Sequence, residues 1–171
     1  MIKPIKKLTG LKFENAQTMV EFALVFPIVL LITYGIMEFG RMVYIYAAVT
    51  GSAREGARYG AASGNLVNPY FRDCSGILNA ARRGAILTPV VVDLIWWDSG
   101  PATAHLSPYS CFTSPTTPPP VLSIKLGYRI GVHVTAHYSP IIRFLGLSGF
   151  DIVSENARTI LVNVPIATPG P

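Results

Sequence analysis

Charge is scarce in this chain: 14 basic and 9 acidic side chains are spread over 171 residues, and half of all residues are hydrophobic. So little charge on so apolar a chain excludes an intrinsically disordered protein and leaves a buried core, a membrane segment, or both. The net charge of +5 is concentrated at the start, where Lys3, Lys6, Lys7 and Lys12 outnumber Glu14; the rest is close to balance. No basic stripe interleaved with aromatics follows, which argues against a nucleic-acid partner. Cysteine is nearly missing, with only Cys74 and Cys111, too few and too far apart for a zinc module. There is no GxSxG elbow, phosphate-binding loop or dinucleotide fingerprint, and no internal repeat. His133 and His137 would share a metal on a helix, but on a strand they stand about 13 Å apart. His105 is isolated, and Asp93 and Asp98 beside the two tryptophans read as solvated acids. The expectation is a non-enzyme with no cofactor and no metal.

What the chain does have is one long apolar run. Phe22 to Gly40 carries a single charge, Glu38, and as a helix would span about 28 Å, the thickness of a bilayer's hydrocarbon core. The lysines before it favour a cytoplasmic N-terminus and an outward C-terminal region, with Arg41 at the far interface. A cleaved secretory signal is the competing reading, but the residues after the run continue helix-compatible and free of proline. The pattern predicts one helix from about Thr18 to about Ala62, about 65 Å long, with Pro27 removing a backbone hydrogen bond inside it. Glu38 and Arg41 fall on one face and can pair. Gly56 and Gly60 form a GxxxG pattern that admits close backbone approach, to another subunit or to the chain's own sheet. Arg54, Glu55 and Arg58 form a short charged face.

The run QTMVEFALVFPIVLLITYGIMEFGRMVYIYAAVTGSAREGARYGA carries a family signature: VEFALVFP at 20–27, MEFGR at 37–41 and AREGARYGA at 53–61. It resembles the N-terminal region of TadE-like pilins, the minor pilins or pseudopilins of tight-adherence (Tad) pilus systems. The resemblance covers residues 16–62 and is limited to element order beyond them. It implies cleavage by a prepilin peptidase between Ala16 and Gln17, which removes residues 1–16 as a leader and makes Glu21 the fifth residue of the mature chain. Ala16 departs from the glycine that often precedes this cut but is still small. The implied partners are the peptidase, the major pilin, other minor pilins, and an inner-membrane assembly platform driven by a cytoplasmic ATPase. A carboxylate within an apolar run is costly unless it has a partner. The new amine on Gln17, one helical turn away or on a neighbouring subunit, would provide one; alternatively Glu21 caps the helix N-terminus at the headgroup boundary.

Residues 63–171 read as an outer α+β domain. Gly64 to Tyr70 is a turn region. Phe71 to Thr88 fits a second helix, with Ile77, Leu78, Ala81, Ala85 and Ile86 at helical spacing. VVVDLIWW at 90–97 is a first strand, 122–138 a second with Val132, Val134 and Ala136 facing inward, and 151–165 a third. Residues 98–121 form a Pro-rich exposed loop, with a polyproline-type stretch, TSPTTPPPV, at 113–121. If this region lies outside the cytoplasm, one disulfide between Cys74 and Cys111 is expected, worth about 4 kcal/mol by loop-closure entropy; two free thiols in a reducing compartment are the alternative. The fold class expected is α+β, with a small antiparallel sheet packed on the outer part of the first helix. The function expected is that of a minor pilin. A single-span, membrane-anchored binding module that never enters a filament is the alternative.

Overall fold

A computed structural model describes residues 13–62, 69–85, 87–100, 104–106, 109–113, 115–125, 127–141 and 148–161. Its elements are α1 (Phe13–Ala61), α2 (Cys74–Arg83), β1 (Val91–Asp98), β2 (Arg129–Tyr138) and β3 (Phe150–Thr159). One long helix, a second helix and a three-stranded antiparallel sheet in the order β1-β2-β3 make the fold α+β. The chain divides into two compact units, Met1–Gly40 and Arg41–Pro171, with α1 contributing to both.

In the first unit α1 begins at Phe13, five residues before the expected start at Thr18, and continues through Pro27. From Gln17 onward nearly every side chain is exposed, including Phe22, Leu24, Leu30 and Leu31. Phe22 and Phe26 stack at 5.1 Å, and the Thr33 hydroxyl donates to the Val29 carbonyl at 2.8 Å. Among the described residues this is the one helix long and apolar enough to cross a membrane.

The second unit is built on the outer part of α1. Ile45, Val49, Ala53, Ala57 and Ala61 recur every four residues and are buried, giving one apolar stripe. Against it lie Ile130, Val132, Val134 and Ala136 of β2, Ile95 and Trp97 of β1, and Ile77 and Ala81 of α2. Small residues set the spacing. A Cβ at Gly56 would stand 3.1 Å from Ala81 Cβ and 3.2 Å from Val132 Cγ1, and one at Gly84 would stand 3.1 Å from Ser52 Cα. The backbone N–H of Leu161 donates to the Ala61 carbonyl at 2.9 Å, tying the segment after β3 to the end of α1.

Several expected boundaries shift. The second helix starts at Cys74 because Asp73 caps it, its carboxylate accepting from Gly76 N–H at 2.9 Å, and Tyr70–Arg72 before it form a separate 3-10 turn. It ends at Arg83, with Gly84 as its C-cap, not at Thr88. The second strand is shorter than 122–138, because Val121–Ser123 form another 3-10 turn and pairing begins at Arg129. The third strand runs Phe150–Thr159, and residues 162–165 lie outside the described residues. The Pro-rich loop is not wholly exposed: Ser110 and Thr117 pair in an antiparallel bridge, and Pro119 is buried.

A bulge in β1 decides which way the tryptophans point. Val92 pairs with Val134, but Leu94 pairs with His133, so Asp93 is the extra residue. Before the bulge Val92 faces α1; after it Ile95 and Trp97 do, and Trp96 turns to the outer face. The buried Trp97 donates its indole N–H to the Phe71 carbonyl at 3.2 Å.

Candidate functional site

The residues singled out from sequence separate into three places. Ala16 closes the first turn of α1 and Gln17 opens the second, followed one turn later by Glu21, whose side chain is exposed. The first backbone N–H groups of a helix have no intrahelical partner, so this end combines free donors with a small residue and a nearby carboxylate. Pro27 supplies no N–H, which leaves the Ala23 carbonyl without its usual helical donor. Glu38 is half-buried.

Arg41 opens the second unit. Its Nη1 donates to the Ser139 carbonyl at 2.8 Å, and its guanidinium lies 5.3 Å from the Tyr138 ring centroid. Sequence spacing pointed to Glu38 and missed this contact, because Ser139 is 98 positions away. Gly56 and Gly60 are both covered by the chain's own residues: a Cβ at Gly60 would meet Ile130 Cδ1 at 2.6 Å and Ile77 Cδ1 at 3.2 Å. On the opposite side of the helix Glu55 pairs with Arg58. The Arg58 guanidinium beside it holds the Glu55 carboxyl below its ordinary value, burial opposing only in part.

Cys74 and Cys111 form a disulfide that ties the first residue of α2 to the segment before the Pro-rich stretch. Beside it is an open cleft of about 490 Å³ lined by Pro69, Tyr70, Arg72, Asp73 and Pro118. Asp73 links the two helices. Its Oδ2 accepts from the Tyr59 hydroxyl at 2.7 Å and its Oδ1 from the Ser75 hydroxyl at 2.8 Å. Burial alone would raise the Asp73 carboxyl, but the donors from Gly76, Tyr59 and Ser75 outweigh it and hold the pKa below the ordinary value. Tyr59 moves the other way, pushed up to about 12, chiefly by its hydrogen bond to Asp73 and then by burial.

The outer face of the sheet gathers the remaining polar chemistry. Trp96 lies over Gly131, stacks on His105 at 4.4 Å, and donates its indole N–H to Glu155 Oε1 at 2.9 Å. His133 Nδ1 stands 3.4 Å from Asp93 Oδ2, and Asp93 also accepts from the Thr135 hydroxyl. His137 Nδ1 lies 2.7 Å from Asp151 Oδ1. These are pairs, and among the described residues no group of three potential ligands is arranged to hold a metal. The expectation that Asp98 is solvated is corrected. It is buried, and its two oxygens accept from Arg129 Nε at 2.9 Å and Nη2 at 2.6 Å. Asp98 faces Arg129 directly in the ladder, and only the pairing of two distant strands reveals it.

Among the described residues the outer face of the sheet offers side-chain pairs, while the residues that carry the family signature lie along α1. Comparison with curated proteins finds no match, and comparison with solved structures finds none either. Residues 16–58 match the family model described as TadE-like protein.

Proposed function

We propose that the chain is a minor pilin or pseudopilin, a structural or assembly subunit of a tight-adherence pilus and not an enzyme. It sits in the inner membrane through residues 22–40, with the Arg41–Pro171 unit outside and the N-terminus in the cytoplasm. Prepilin peptidase cuts between Ala16 and Gln17, and the freed helix then packs among the major pilin and other minor pilins at the assembly platform.

One observation supports this reading: the family match begins at residue 16, a small residue, and a cut after it would make Glu21 the fifth residue of the mature chain. The cut lies at the end of the first turn of α1, and terminal turns open easily because they hold the fewest hydrogen bonds. Cleavage creates an amine on Gln17 one turn from Glu21. In a low-dielectric setting an amine and a carboxylate attract strongly, and an unpaired carboxylate is costly, so the acid favours subunits that present an amine in register.

The binding-module reading is favoured by a different feature, the cleft lined by Tyr70, Arg72 and Pro118 beside the disulfide. Intact mass and N-terminal sequencing of the membrane-expressed protein, with and without prepilin peptidase, separate the two. A peptidase-dependent start at Gln17 supports the pilin. Retention of residues 1–16 in a functional protein overturns it in favour of the anchored module.

A further inference from the structure

We propose that β3 is a docking edge: a strand of another polypeptide, with a cation on either side of an apolar residue on one face, adds beside it and extends the sheet. β3 is the last strand in the order β1-β2-β3, so one of its sides faces no strand. Two hydrogen bonds fix the direction of its backbone groups. The Ile160 N–H donates towards β2, to the Tyr128 carbonyl at 2.8 Å, in line with the β2–β3 register. The Leu161 N–H, one residue on, points the other way, to the Ala61 carbonyl at 2.9 Å. In an antiparallel ladder the N–H and C=O of one residue point to the same side, and successive residues alternate. The backbone groups of Asp151, Val153, Glu155, Ala157 and Thr159 therefore point away from β2, and among the described residues no backbone group pairs with them.

Proteins commonly close such an edge with a bulge, a proline, a lysine or a covering loop. β1, at the opposite edge, has two of these devices: the bulge at Asp93, and the Leu106 N–H, which donates to the Trp97 carbonyl at 2.6 Å. β3, FDIVSENART, has neither lysine nor proline and pairs with β2 along its whole length without a shift. Its outer face specifies the partner. There Asp151 and Glu155 flank Val153, which is 53% exposed. The one base of β3, Arg158, falls on the other face by the alternation of the strand. Each acid engages one oxygen within the sheet, Asp151 Oδ1 with His137 Nδ1 at 2.7 Å and Glu155 Oε1 with the Trp96 indole N–H at 2.9 Å. The second oxygen of each is left to a neighbour. Residues opposite each other on paired strands bring their Cβ atoms to about 5 Å, where opposite charges attract and like charges repel. A strand with Lys or Arg opposite both acids and an apolar side chain opposite Val153 complements this face.

The test uses the full-length protein, its disulfide intact, in neutral detergent micelles. The probe is a short synthetic peptide with lysine, valine and lysine at alternate positions and threonine between them. One control peptide has glutamate in place of lysine. The other is the lysine peptide N-methylated at the lysines and the valine, whose amides would face β3. Residue-resolved hydrogen exchange is the readout. The lysine peptide should slow exchange of the Val153, Glu155 and Ala157 amides several-fold, and neither control should. Asp151→Asn combined with Glu155→Gln, which keeps an acceptor oxygen at both positions, should weaken the lysine peptide several-fold. Equal binding of the N-methylated peptide reduces the contact to surface charge and overturns the edge. Equal protection by the glutamate peptide overturns the stated partner. Amides already slow to exchange, in a particle holding two copies of the chain, place a second copy on the edge and overturn the proposal as well. No protection by any peptide overturns it outright. The peptide controls act on the unaltered protein, so the test stands even if the double variant does not fold. It does not depend on the cut after Ala16, so its failure leaves the pilin reading standing.

Discussion

A methyl group at Gly131 would sit 2.1 Å from Cε2 and Cζ2 of Trp96. A rigid ring cannot yield as the end of a flexible chain can, so Gly131→Ala must displace Trp96 from His105 and Glu155. The expected cost is about 1–3 kcal/mol, the range for overpacking, read as a lower thermal midpoint of the full-length protein in detergent micelles. A variant as stable as the parent would show that the ring is not held over Gly131. Tyr59 and Asp73 give a pH signature. The folded pKa of Asp73 is lowered, so its contribution is present above the ordinary carboxylate range and is lost as pH falls through the folded value. That of Tyr59 is raised to about 12, so its contribution is full below the ordinary phenol range and is lost as pH rises toward 12. Absorbance titration of tyrosinate should show one late component that Tyr59→Phe removes; its persistence in that variant would assign it elsewhere.

At the scale of elements, the length of α1 and the alternation of Val132, Val134 and Ala136 were legible, because an apolar run and burial on one face each leave a local pattern in the sequence. The third strand was located by its composition. Its end was not, because DIVSENARTILVNVP continues strand-like past Thr159 while Ile160 and Leu161 bond to Tyr128 and Ala61 instead. The second helix was read too long, since Phe71 has the right character but Asp73 captures the Gly76 amide and resets the start. The disulfide fixes the head of that helix. Replacing Cys74 and Cys111 together by serine opens a loop with a sequence separation of 37 and should cost roughly 2–4 kcal/mol. Thermal unfolding with and without reductant checks it: the parent should fall toward the double variant when reduced, and the variant should not respond.

For the molecule as a whole, the decisive substitution is Glu21→Ala. The exposed apolar helix around it is unchanged, so membrane insertion should persist under carbonate extraction, while pilus assembly or leader removal falls; normal piliation in that variant would remove the register role. The sequence by itself determined the apolar helix, the TadE-like segment and the α+β order, because each is written in local spacing or composition. Only the tertiary structure decided that Trp97 faces α1 and Trp96 the outer sheet, that Asp98 pairs with Arg129, that Gly56 and Gly60 are filled by Ala81, Val132, Ile77 and Ile130, and that Arg41 holds Ser139. These contacts join residues far apart in the chain. A one-residue bulge reverses every side chain beyond it, so the outcome depends on which strand lies alongside and in what register, and no window of sequence contains that.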